Sequence, residues 1–152
     1  MGGAVNPRDT FLRDQVAAAA ADARRILTLA TGMPSVHPCQ TAYAAPSPWL
    51  RDHLERIASD VAERRLRRCP HIKGTAPTVV VAMAWRPGRL FCLPCSAEQL
   101  AAVRGTVEDA RCDVCGDLVD VIHPDLVAVG PLIFTYGGCG PCLPIARGSA
   151  AA

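Results

Sequence analysis

Seven of the eight cysteines of this 152-residue chain lie between Cys69 and Cys142, and they come in pairs. Cys69-Pro70-His71 is first, followed by Cys92-Leu93-Pro94-Cys95, Cys112-Asp113-Val114-Cys115 and Cys139-Gly140-Pro141-Cys142. A short gap lets both donors of a pair point at a single ion, and Zn²⁺ takes four N or S ligands in a closed structural site. Four pairs therefore predict two zinc ions per chain, held by Cys69, His71, Cys92, Cys95, Cys112, Cys115, Cys139 and Cys142.

Other uses of cysteine fit less well. Disulfides need an oxidising compartment, and Arg8, Asp9, Arg13 and Asp14 stand where the apolar part of an export signal would begin. A redox Cys-x-x-Cys is normally single and set in a βαβ unit, and an iron–sulfur cluster leaves the His71 pair unexplained. Sequential pairing joins the first two pairs around one ion and the last two around the other. A cross-braced or a nested arrangement would use the same eight ligands. The sequential form is favoured because each half then encloses a hairpin that brings its two pairs together.

Small cores need staples, and this chain is short of core material. Half of its residues are hydrophobic, but only 5% are aromatic and many of the apolar ones are alanine. The expected class is a small α+β protein stabilised by zinc, with an α-helical hairpin over 1–68, a double zinc-binding domain over 69–142 divided at 104/105, and a flexible tail over 143–152. No apolar run is long enough to span a bilayer, so the sequence reads as cytoplasmic with no membrane partner. Oligomeric state leaves no signature.

The formal charge of +2 is unevenly placed. Residues 1–68 carry ten arginines against seven acidic residues, and 69–142 carry five basic residues against seven acidic. Metal-bound cysteines are thiolates, so seven of them with two Zn²⁺ ions add about −3 and bring the zinc region to about −5. That region lacks the electrostatic footprint of a nucleic-acid binder.

Along the chain, Asn6-Pro7 with Asp9 starts a helix whose apolar stripe runs through Leu12, Val16, Ala20, Ala23, Leu27 and Ala30, and Gly32 and Pro34 end it. His37 and Cys39 sit in a proline-rich loop and are not needed to complete either ion. Ser47-Pro48 opens a second helix with Leu50, Leu54, Ile57 and Val61 at helical spacing, predicted to continue through Arg64, Arg65, Arg67 and Arg68 into Cys69. Those four arginines are the best nucleic-acid candidates in the chain; the plainer reading is that they complement the helix end and pair with Asp60 and Glu63.

Residues 78–85 read as a strand, Arg86-Pro87-Gly88-Arg89 as a type II turn, and Leu90-Phe91 as the return to Cys92. Ser96 with Gln99 forms a capping box for a helix over about 97–103. Beyond Cys112, strands over 118–122 and 126–129 flank a turn at His123-Pro124-Asp125, which makes His123 a turn residue rather than a fifth ligand. Residues 132–136 then lead to Cys139.

The order of knuckle, hairpin and ligand pair at a helix start over 69–103 resembles the treble-clef zinc finger, although its first pair is Cys-x-His. Cys112-Asp113-Val114-Cys115-Gly116 with the hairpin that follows resembles a zinc ribbon. Both superfamilies host many functions. Closed four-ligand sites, the absence of a phosphate cradle and the acidic zinc region point to a non-enzymatic adaptor or regulator that binds another protein. The runner-up is a nucleic-acid-binding regulator using Arg64, Arg65, Arg67 and Arg68 with Arg86 and Arg89, and a thiol-redox or zinc enzyme is a distant third.

Overall fold

A three-stranded sheet carries the fold, and its central strand is the last one in the sequence. The computed structural model describes residues 7–31, 47–74 and 76–148. Its helices are α1 (Pro7–Thr31), α2 (Pro48–Ala62), α3 (Leu93–Val103) and α4 (Cys142–Arg147), with a 3₁₀ turn at Val107–Ala110. Its strands are β1 (Arg67–Arg68), β2 (Val80–Met83), β3 (Arg89–Leu90), β4 (His123–Val129) and β5 (Leu132–Gly138). The larger sheet has the order β2-β5-β4, with β2 parallel and β4 antiparallel to β5. β1 and β3 form a separate parallel pair in which Arg67 stands beside Arg89.

Alternation along the strands buries both faces of the sheet. Val81, Met83, Ile133 and Ala128 face one way and pack with Phe91 and with Ala23 and Leu27 of α1. Ala82, Phe134, Val127 and Tyr136 face the other way and pack with Leu50 of α2 and with Leu143 and Ala146 of α4. The two long helices thus lie on opposite faces. The paired helices expected over 1–68 are not formed, because the sheet offers each apolar stripe a larger partner than the other helix does. Along α1 only the second half of the stripe is covered: Ala19, Ala20, Ala23 and Leu27 are buried, whereas Leu12 and Val16 are exposed. Asn6, Gly32 and Pro34 lie outside the described residues.

Ser47 starts α2 as the sequence predicts, since its Oγ accepts the Leu50 N–H at 3.1 Å. Its hydroxyl also donates to the Ala146 carbonyl at 2.6 Å, tying α2 to α4. The end of α2 differs from the expectation. The helix stops at Ala62, Arg64 takes the left-handed conformation at φ 56°, and the chain continues as β1 rather than running helically into Cys69. The Arg65 N–H donates to the Asp60 carbonyl at 2.8 Å and the Arg64 N–H to that of Val61 at 3.1 Å, a Schellman closure with arginine where glycine is usual.

Three further expectations are corrected. α3 begins at Leu93, not near Ala97: Pro94 suits a first helical turn, and Ser96 lies inside the helix with its hydroxyl on the Leu93 carbonyl at 2.7 Å. His123-Pro124-Asp125 is not a turn but the start of a continuous β4, whose pairing runs from His123 opposite Gly138 to Val129 opposite Leu132. β4 is an edge strand, where the N–H that proline lacks need not join a ladder. The hairpin turn falls instead at Gly130-Pro131, with Gly130 at φ 56°. Finally, the tail expected over 143–152 is folded as far as Gly148: α4 buries Leu143 and Ala146.

The strand expected over 78–85 is shorter, and its hairpin with 90–91 closes at one pair, Val81 and Phe91, through N–H···O bonds of 2.8 and 2.9 Å. The other edge of β2 belongs to β5. Gly88 has φ +74°, the conformation that the second central position of a type II turn requires.

Candidate metal centres

Each half of the double module is built in the same order: a ligand pair on a tight turn, a β-hairpin, and a Cys-x-Pro-Cys pair at the start of a helix. In the first half Cys69 follows β1, where its N–H donates to the Leu90 carbonyl at 2.9 Å, and Cys92 and Cys95 sit at the cap and in the first turn of α3. In the second, the Gly116 N–H closes the turn on the Cys112 carbonyl at 2.8 Å with Gly116 at φ +81°, and Cys142 opens α4. Helix starts present free N–H groups and a positive dipole end, which favour thiolate.

The donor atoms converge into two groups of four, Cys69 with His71, Cys92 and Cys95, and Cys112 with Cys115, Cys139 and Cys142. Within each group all four donors lie within 4.8 Å of one another. A tetrahedral ion with bonds of about 2.3 Å needs donors about 3.8 Å apart, so both quartets have the size of a single-ion site. The grouping is the sequential one; the cross-braced and nested alternatives are not what the chain forms. His71 takes part through Nδ1, 3.0 Å from Cys95 Sγ.

The two quartets share a hydrogen-bond device. The Cys92 N–H donates to Cys69 Sγ, and the Cys139 N–H donates to Cys112 Sγ, both at 3.3 Å. Burial pushes the Cys69 and Cys112 thiols up, but backbone N–H donors from Cys92, His71 and Ile72 in one case, and from Cys115, Cys139 and Val114 in the other, outweigh it and bring each down to about 7. Burial, together with the neighbouring thiols, pushes Cys95 up to about 12 and Cys142 higher than its ordinary value. One favoured thiolate beside a thiol that resists ionisation is what like charges crowded into one pocket produce. A bound cation removes that conflict, so the donor set fits a metal ion.

Asp113, which the sequence reading passed over, braces the second centre. Its carboxylate accepts the Gly137 N–H at 2.6 Å and its own N–H donates to the Gly137 carbonyl at 2.8 Å, fixing the knuckle to β5. Burial holds its carboxyl up at about 6. A buried network sits nearby in the same sheet. Asp125, 1% exposed, accepts from the Tyr136 hydroxyl at 2.7 Å, the Arg147 Nε–H at 2.8 Å and the Leu126 N–H at 3.0 Å. An aspartate inside the apolar run of β4 was the available signal. His123 lies half-buried in β4 and belongs to neither quartet. His37 and Cys39 lie outside the described residues.

Of the candidate partner-binding arginines, Arg65 is held by Asp60 and Glu63, which is the plainer reading of that residue. Arg64, Arg67, Arg68, Arg86 and Arg89 are exposed and make no ion pair among the described residues. Arg67, Arg68 and Arg89 line one cleft beside the first quartet, and Arg86 and Arg89 line a second. No helix among the described residues is long and apolar enough to cross a membrane.

No protein-family model, curated protein or solved structure matches this chain.

Proposed function

We propose that the chain is a zinc-stabilised, non-enzymatic adaptor that binds another protein, its first metal unit treble-clef-like and its second built on a ribbon-like hairpin followed by the short helix α4. The observation that carries the reading is the completeness of both quartets: four N or S donors close a tetrahedral ion and leave no position for a reacting water. Thiolate and imidazole donors suit Zn²⁺, whose d¹⁰ shell imposes no geometry of its own. The ions act as staples for a chain with few aromatic residues, and the surfaces around them are left for recognition.

Elemental analysis of the purified protein with thiol titration before and after chelation tests the metal half of the reading. Two zinc ions per chain, with the seven quartet thiols shielded until chelator is added, is the expected result. One ion, iron, or oxidised thiols would overturn it. Substitution around the Arg86–Gly88 turn tests the adaptor half: partner capture should weaken with zinc retained. The nucleic-acid reading draws on the unpaired arginines and predicts steeply salt-dependent binding; retention that is indifferent to salt removes it.

A further inference from the structure

We infer that the arginine-lined clefts beside the first metal centre form a docking site for an acidic segment of a partner protein; this rests on the adaptor reading and gives the partner its chemistry. Arg67 and Arg89 occupy paired positions on parallel strands, so their side chains rise from the same side of the ladder. Like charges at adjacent strand positions destabilise the pairing. Neither Arg67 nor Arg89 makes an ion pair with a carboxylate among the described residues. Arg68 borders the same cleft, whose volume is about 320 Å³.

Arg89 also faces a second cleft with Arg56 and Arg86. The carboxylate at its edge, Asp60, is already held by Arg65 at 2.7 Å. Five exposed guanidinium groups therefore run from the first quartet across β3 to α2, with Arg89 common to both clefts. The planar fork of arginine binds carboxylate in bidentate fashion, and two neighbouring forks can share one acidic side chain.

Phosphate would satisfy the same forks, but the surroundings favour discrete carboxylates over a nucleic-acid backbone. Glu98 lines the first cleft beside Cys69 and Cys95, and its negative charge opposes a polymer carrying a charge on every residue. Single-stranded nucleic acid also needs ring faces to stack on. Near these clefts Phe91, Phe134 and Tyr136 are buried, the half-buried Trp85 packs against the core, and the half-buried Trp49 is occupied by contacts with His53 and Tyr136 at centroid separations of 4.2 and 5.0 Å. An acidic peptide can place its side chains on the arginines and keep the rest of its chain clear of Glu98.

Fluorescence anisotropy on the full metal-loaded chain, with a labelled peptide of alternating glutamate and glycine, tests the inference. The control peptide carries glutamine for glutamate, and a labelled random single-stranded oligonucleotide competes the two chemistries. The glutamate peptide should bind, the glutamine peptide should not, and the oligonucleotide should bind more weakly than the glutamate peptide. The double variant Arg67→Gln/Arg89→Gln should lose about tenfold in affinity, the sum of a few exposed ion pairs. Its metal content reports whether the first centre is intact. The double variant Arg56→Gln/Arg86→Gln, distant from Cys69 in sequence, repeats the measurement with a loss of about threefold. Equal binding of both peptides, unchanged affinity in both metal-loaded variants, or a preference for the oligonucleotide overturns the inference. A wild-type chain that keeps its metal yet ignores the glutamate peptide refutes the acidic partner alone, whereas failure of the adaptor reading shows separately, as loss of partner capture or of zinc stoichiometry.

Discussion

Replacing Arg147 with methionine should destabilise the metal-loaded protein by about 3 kcal/mol, a value set by what the substitution leaves behind at Asp125. The Asp125 carboxylate is 1% exposed and the Arg147 side chain 19%, so water cannot replace the lost cation. Breaking a buried pair from one side costs about 3–5 kcal/mol, because a buried charge loses its partner. Two donors remain, the Tyr136 hydroxyl at 2.7 Å and the Leu126 N–H at 3.0 Å, which places the cost at the low end. Methionine keeps the aliphatic packing, so the loss is electrostatic. For a chain of this size each kcal/mol moves the melting point by about 2–4 °C, and the variant should melt about 6–12 °C lower. Adding Asp125→Asn removes the stranded charge while keeping an acceptor for Tyr136, and the double variant should recover at least about 1.5 kcal/mol of the summed single losses. Thermal melts and urea titration of the metal-loaded chain give both numbers. Because Cys142 opens the same helix that ends at Arg147, the thiols of the second quartet should also become accessible to a chromogenic thiol reagent at lower denaturant. A single variant within about 1 kcal/mol of wild type, or a double variant losing the full sum, would show that the pair is not a buried, coupled one.

Arg64→Gly should stabilise the protein by about 1 kcal/mol, since glycine adopts the φ of 56° without the Cβ cost and Arg64 makes no ion pair among the described residues; a lower urea midpoint would contradict the strain. Gly137→Ala should cost about 1–3 kcal/mol, because its Cβ would lie 2.5 Å from Ile122 Cγ2, and Ile122→Ala in the same chain should recover part of that loss; melts that do not respond to the second change would place the damage elsewhere. Metal uptake at pH 7 should expel at least one proton per centre, because the Cys95 thiol is held up at about 12 and Cys142 above its ordinary value, and both must ionise to ligate. Affinity therefore falls as pH is lowered. Calorimetric heats that do not vary among buffers of different ionisation enthalpy would refute the proton release.

The two donor quartets were legible in the sequence because their signal is local. A Cys-x-x-Cys pair declares itself within one turn, and Ser47-Pro48 announced the start of α2 for the same reason. The long-range choices left no such mark. The stripe of Ala20, Ala23 and Leu27 shows that a face of α1 is buried, but nothing in it says that the cover is a sheet rather than α2. The parallel union of β2 with β5 joins segments separated by the whole first ligand helix and the second knuckle, and strand propensity does not choose partners. Pro124 was misread because its tolerance depends on β4 being an edge, a property of the finished sheet. α4 is too short to show a period, and the charge that anchors it lies 22 residues upstream, at Asp125.

The position of β5 bears on how a growing chain can fold. Synthesis runs from the N-terminus, so β2, β3 and β4 all leave the ribosome before the strand at the centre of the larger sheet, Leu132–Gly138. Until it arrives, β2 has only its single pair with Phe91 and β4 has none, and the backbone edges that both will give to β5 are open to other chains. The first quartet, complete at Cys95, can capture its ion early and hold the β2 hairpin in a compact form while the remainder is made. A chain that captures no ion at the first quartet lacks that early hold, and the edges of β2 and β4 then stay open until β5 is made.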